Sequence, residues 1–203
     1  MYEAMRIRLY DAITARLAHV RTVEGAPVFL DPKQAKKTAQ MPPQAIKAFD
    51  LWNENVVQLT KQRPFEVPAV FIEFLPIVWS YAGRKAKHAD VTVRLHIVTA
   101  TLATLNSPYK EQALYRLALI RAIDQALTNF SGAVDNCGLG FGTFVPQESD
   151  TDHNHEQVCE DIEVWRVSCF DLSAIGRNLV TTPLDVTLDD GEVFTAVFGK
   201  EYV

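Results

Sequence analysis

The sequence predicts a mixed α/β fold of the α+β kind: a mainly antiparallel sheet flanked by two main helices, with a C-terminal β-hairpin or arm. Three observations predict it. Residues 67–74 and 91–98 are rich in β-branched and aromatic side chains and are separated by a polar, Gly-containing segment, so they read as neighbouring strands at the centre of a sheet. Residues 158–170 read as a further long strand. Residues 1–20 and 108–130 carry apolar residues at steps of three and four, the spacing of an amphipathic helix. Residues 1–173 form one expected domain, and residues 174–203 an extension.

The 203 residues, 48% hydrophobic and 22% charged, have ordinary globular composition and can bury a core. A net charge of −5, with no face-forming cluster of Lys and Arg, argues against a protein that binds nucleic acid by neutralising phosphates, and against an anionic membrane surface. Glu3, Arg6, Arg8, Asp11 and Arg16 interrupt the first helix, which therefore lacks the apolar core of a signal peptide, and nothing approaches a membrane span. Cys137, Cys159 and Cys169 are an odd, sparse set that fits a reducing cytoplasm.

In chain order, Tyr2, Met5, Leu9, Ile13, Leu17 and Val20 make the buried stripe of the first helix, with its charges on the far side. Residues 23–30 read as a first strand ending at Asp31-Pro32. The run 33–44, with three lysines and two adjacent prolines, reads as an exposed loop. Ile46, Phe49, Trp52, Val56 and Leu59 fit a helix, yet a short strand near 49–52 fits as well. In the central pair, Val91, Val93, Leu95 and Ile97 form a buried face and Thr92, Arg94 and His96 a wetter one, while 67–74 has only Glu73 breaking its apolar run and is expected to be covered on both sides. Ser107 caps and Pro108 opens the second helix, which runs to about Phe130 with a stripe of Leu117, Ile120, Ile123, Leu127 and Phe130, widened by Leu114 and Leu119, and Gly132 as its stop. Residues 137–147 are Gly-interrupted and β-like, and the polar run 149–156 connects them to the long strand as a hairpin. Leu184, Val186 and Leu188 alternate with polar residues, Asp190-Gly191 is a turn signal, and Val193, Ala196 and Phe198 supply the returning arm.

Each candidate site has a plain structural reading beside it. Asp150, Asp152, His153, His155, Glu156 and Cys159 mix carboxylate, imidazole and thiol ligands, but no second ligand pair of matching spacing exists to close a metal site, and a solvated loop is preferred. Residues 137–142, CGLGFG, follow a helix and enter a strand, the reverse of a phosphate-cradling loop, so a bulged or edge strand is preferred. No local signature pairs a cysteine with His88, His96 or His153 as nucleophile and base; Cys159 and Cys169, ten apart on one strand face, read as packing residues. Glu73 can be a perturbed catalytic acid, but a pairing with a base such as Arg94 is preferred. Trp52, Trp79 and Trp165 read as core or interface anchors. No catalytic, cofactor-binding or metal residue is assigned, and no enzyme activity is expected.

Trp52-Asn53, Pro64-Phe65, the run PAVFIEF at 68–74, Trp79, Leu95-His96-Ile97-Val98 and Asp150 to His153 stand in an order that resembles the small tail proteins of tailed phages and prophages of Bacteroidetes, similar in element order to tail terminator or tail completion proteins. The resemblance covers about residues 1–173 and rests on packing patterns. It implies a mixed α/β subunit, with no enzymatic activity, that assembles with copies of itself as a ring, commonly of six, at the head-proximal end of the tail tube. The implied partners are the tail tube protein and head-tail connector proteins, without membrane or direct nucleic-acid recognition. The implied location is the virion, after synthesis in the host cytoplasm. A head-tail connector, or a small-ligand or metal-binding protein using residues 149–159, is the alternative.

Overall fold

The computed structural model describes residues 2–32, 41–53, 65–82, 85–100, 109–152, 158–175, 184–187 and 193–196. Two long antiparallel strands form its spine: β6 (Ala86–Ala100) and β9 (Val158–Asp171), paired along their whole length from Lys87↔Asp171 to Ala100↔Val158. On the outer side of β6 lie β4 (Ala69–Phe74) and the shorter β5 (Ser80–Ala82); on the outer side of β9 lie β7 (Leu139–Phe141) and β8 (Val145–Asp152), all antiparallel to the spine. Outside β4 runs β3 (Ala48–Leu51), in parallel. The mainly antiparallel sheet and the two α-helices among the described residues, α1 (Tyr2–Leu17) and α2 (Tyr109–Leu127), agree with the expected α+β class. No described helix is long and apolar enough to cross a membrane.

Both helices lie on one face of the sheet. Met5, Leu9, Ile13 and Leu17 of α1 are fully buried against Val91, Val93, Leu95 and Ile97 of β6, Val70 and Ile72 of β4, and Trp165, Val167 and Cys169 of β9. Strand alternation makes this a continuous apolar layer, because residues two apart share a face and the register of the pairs is fixed by the same pattern. Met5, Leu9, Ile13 and Leu17 lie in the α1 stripe as the sequence predicts, the side chain of Tyr2 lies outside the described residues, and the helix ends at Leu17, with Val20 beginning a strand. Its charges do not all turn away. The guanidinium of Arg16 donates to Ala126 O at the end of α2 and covers the rings of Phe29 and Phe130, while Arg8 donates to Ala133 O and pairs with Asp135 at 2.8 Å. A cation among the terminal carbonyls of a helix complements its dipole.

Three local expectations need correction. The stretch 23–30 is the second half of a hairpin, β1 (Val20–Val23) and β2 (Ala26–Phe29), turned by Glu24 and Gly25 at φ 49° and 81°, the two left-handed positions of a type I′ turn. In α2 the buried stripe is Leu119, Ala122, Ile123, Ala126 and Leu127, while Leu114 and Leu117 face outward, more than half exposed. Small alanines let the helix sit close to its neighbours, so the stripe is rotated from the one the large residues suggest. The helix ends at Leu127, with left-handed Asn129 (φ 60°) just beyond it; Gly132 instead exchanges two backbone hydrogen bonds of 3.0 Å with Phe141, so close that an added Cβ would lie 2.3 Å from the Phe141 ring.

The ambiguous 45–62 stretch contains a strand, β3, which favours the strand reading for 48–51. The Gly-rich segment resolves into β7 and β8. The expected hairpin connection begins later than predicted, because Ser149 to Asp152 still pair with Glu163 to Glu160. The C-terminal residues form β10 (Leu184–Thr187) and β11 (Val193–Ala196), an antiparallel pair as expected. The lysine loop at 33–40, the helix start at Ser107 and Pro108, and His153, His155 and Glu156 lie outside the described residues.

Candidate functional site

The face of the sheet opposite the helices carries the chemistry. Alternation places Phe71 and Glu73 of β4, Arg94, His96 and Val98 of β6, and Val158 and Glu160 of β9 on this side. A second, smaller core covers part of it: Ala69, Phe71, Val98 and Val158 are buried, with Ala48, Trp52, Phe65 and Val67 packed against them. Trp52, carried just past the end of β3, stacks on the His96 ring with centroids 3.8 Å apart and planes 2° apart, and meets Phe71 edge-on. Phe65 meets Phe71 edge-on from the other side.

Beneath Trp52 the imidazole lies between two carboxylates. His96 Nδ1 is 2.5 Å from Glu160 Oε1 and Nε2 is 3.2 Å from Glu73 Oε2, and Arg94 Nη1 reaches the same Glu73 oxygen at 3.4 Å. His96 stands opposite Phe71 and Ile162 in the ladders, so both carboxylates reach it diagonally, across one pair position on each side. His96 and Glu160 are almost fully buried, while Glu73 and Arg94 extend to the surface. Each imidazole nitrogen thus faces a carboxylate oxygen, and the indole stacks on the ring between them. The network ties β4, β6 and β9 together and satisfies a buried histidine at both nitrogens. His96 is thus not part of the wetter face predicted for it, whereas Thr92 and Arg94 are partly exposed. Glu73 has the basic partner expected, Arg94, and a second in His96.

A second polar tie lies on the helix side. Arg116 of α2 grips buried Asp161 through Nε–Oδ2 at 2.6 Å and Nη2–Oδ1 at 2.7 Å, and the Thr151 hydroxyl donates to Asp161 Oδ1 at 2.8 Å. This fork fixes α2 against β8 and β9, and the hydrogen bonds to Asp161 hold the guanidinium pKa above its ordinary value. Nearby, burial pushes the Glu163 carboxyl upward, partly offset by the Ser149 hydroxyl that donates to it.

The other candidates separate. Register puts Asp150 and Asp152 on the side of Ile162 and Glu160, and Cys159 on the opposite side, so these three do not converge. Among the described residues no group of three or more His, Cys, Asp and Glu side chains is placed to hold a metal. The CGLGFG run is an edge strand whose amides are engaged: Gly138 N–H donates to Asp135 O and Gly142 N–H to Ser168 O. Burial raises the thiol pKa of Cys159 and pushes that of Cys169 to about 12, which keeps both thiols protonated and unreactive near neutrality. Trp165 is buried in the main core, Trp79 packs at its margin, and Trp52 roofs the histidine.

Sequence reasoning missed Glu160 and the stacking of Trp52 on His96. The available signal was weak: Glu160 is one of three acidic residues in the strand 158–170, and His96 a histidine on the polar side of the central strand. Comparison with protein-family models and with curated proteins gives no match.

Proposed function

We propose that this chain is a non-enzymatic structural subunit that assembles with copies of itself, as a ring that ends a phage tail tube and joins it to the head or neck. The observation that carries the reading is where the residues behind the resemblance meet. Trp52, Phe65, Phe71, His96 and Val98 come from segments separated by up to 46 positions, and they form one cluster on one face of the sheet. Five of the residues behind the resemblance thus form one packing unit, while Trp79 packs at the margin of the main core. The polar residues nearest that cluster are engaged in holding strands together, a role suited to a subunit that bears load in an assembly.

The test is electron microscopy of the purified protein mixed with tubes of the tail tube protein from the same phage. Closed rings seated at one end of the tubes, and tubes that no longer elongate from that end, are expected. Tubes that grow as freely with the protein as without it, and carry no density at their ends, would refute the reading.

A further inference from the structure

The outer strands of the sheet differ in what they offer a further strand. On β3 the Leu51 N–H donates to Asp50 Oδ1 at 2.8 Å, and on β8 the Thr151 N–H donates to Asp150 Oδ1 at 2.7 Å. Pro146 of β8 has no N–H, the ladder slips between Pro146 and Glu148, and Glu148 and Asp150 add exposed charge. The outer side of β7 is already occupied: Gly132 exchanges two backbone hydrogen bonds with Phe141, and the Asp135 N–H donates to Leu139 O. Prolines, bulges, charges and covering loops are the devices by which edge strands resist pairing.

β5 stands apart. Its residues Ser80, Tyr81 and Ala82 include no proline and no charge, and among the described strands it pairs with β6 alone. Tyr81 is 71% exposed and Val78, just before the strand, 77%, the highest values of any large apolar side chain among the described residues. The direction of its backbone follows from β6. The Leu75 N–H donates to Thr92 O, and the register of β6 against β9 is unbroken, so by alternation the even-numbered residues of β6 turn their N–H and C=O toward the β4–β5 side. His88 and Ala86 therefore bond to their partners Ser80 and Ala82, and Tyr81, between those two, turns its own N–H and C=O outward.

One outward residue is enough for two identical copies. In an antiparallel pair about a two-fold axis, the residue on the axis donates its N–H to the C=O of its twin and accepts the reverse bond. Charge favours this edge for that purpose, because residues 75–82 carry none and two copies bring them together without like charges facing each other, whereas two β8 edges would set Glu148 and Asp150 against their twins. The Tyr81 ring is also held in place within its own chain, with Lys87 Nζ 5.9 Å from its centroid.

We infer that β5 of one copy pairs antiparallel with β5 of a second copy across a two-fold axis at Tyr81, joining the two sheets edge to edge and setting the two Tyr81 rings side by side. The contact goes beyond the ring reading and does not depend on it. An isologous contact closes on itself, whereas the contacts of a ring repeat head to tail.

Oxidation of full-length Y81C, in a background where exposed Cys137 is replaced by serine, tests it. Residues on the axis of such a pair have Cα atoms about 5.5 Å apart, within disulfide reach, so chains linked through residue 81 are expected on a non-reducing gel and by mass spectrometry. H88C in the same background is the control: residue 88 is exposed, but one strand further in on each copy, about 14 Å from its twin, and is expected not to link. No link in Y81C, or a link as readily formed in H88C, would overturn the pairing; a discrete oligomer seen by light scattering without the 81–81 link would remove the pairing and leave the ring standing. In Y81D a carboxylate faces Lys87 within the chain and its own twin across the axis, so the dissociation constant of the pair is expected to rise about tenfold or more, and less at high salt. Circular dichroism unchanged from wild type would confirm that the variant is folded, and association unchanged in folded Y81D would count against the proposal.

Discussion

The two faces of the central sheet are stabilised by opposite means. On the helix side, β4, β6 and β9 present Val, Ile, Leu and Trp to two helices, and stability comes from apolar area removed from water. On the other side the same strands present Phe71, Glu73, Arg94, His96 and Glu160 to a single indole and a few flanking residues, and much of the order comes from hydrogen bonds that must all be made at once. The first face tolerates error, since removing a methyl group leaves a small void. The second tolerates less, since removing His96 takes a hydrogen bond from a buried carboxylate.

The largest effect is therefore expected on the polar face. His96→Leu takes the imidazole from the buried Glu160 carboxylate and should cost about 3–5 kcal/mol in chemical denaturation, whereas replacing Glu73, His96 and Glu160 together by leucine should recover most of that loss. A triple variant no more stable than the single one would show that the network holds the face by more than charge pairing. On the helix side, Leu119→Ala should cost about 2–4 kcal/mol and Leu117→Ala, two residues away but exposed, no more than about 0.5. Equal costs would break the assignment of the α2 stripe.

The smallest effect tests a carboxylate at the edge of the helix side. The Glu163 carboxyl has its pKa raised in the fold by burial, so the fold favours the protonated form. That preference is fully present below the ordinary carboxyl value and is lost as pH rises through the raised one, so at neutral pH the ionised group works against folding. Glu163→Gln, which can still accept from Ser149, should raise Tm at neutral pH by up to about 2 °C and lose that advantage in acid below the ordinary carboxyl range. An advantage that persists in acid would assign the effect to packing.

The apolar face was legible because its signal is local. Val91, Val93, Leu95 and Ile97 declare their side by alternation within seven residues, and the first helix declares its stripe within four turns. The stripe of α2 was misread because Ala122 and Ala126, too small to weigh in a count of large apolar residues, are what let the helix approach closely. The turn at Glu24-Gly25 was legible in its glycine and passed over because the strands on either side are only four residues long. The histidine network was not legible: Glu160 is 64 positions from His96, and nothing in either neighbourhood announces the other. Arg8 and Arg16 were assigned to solvent for the same reason, since their acceptors lie more than a hundred positions away, at Ala133 beyond α2 and at Ala126 in its last turn.

Self-assembly is the central element of the proposed function. The most direct measurement is the solution mass by light scattering across a range of concentrations. The prediction is a single discrete multiple of the 22.8 kDa chain, and a monomer at every concentration would contradict it.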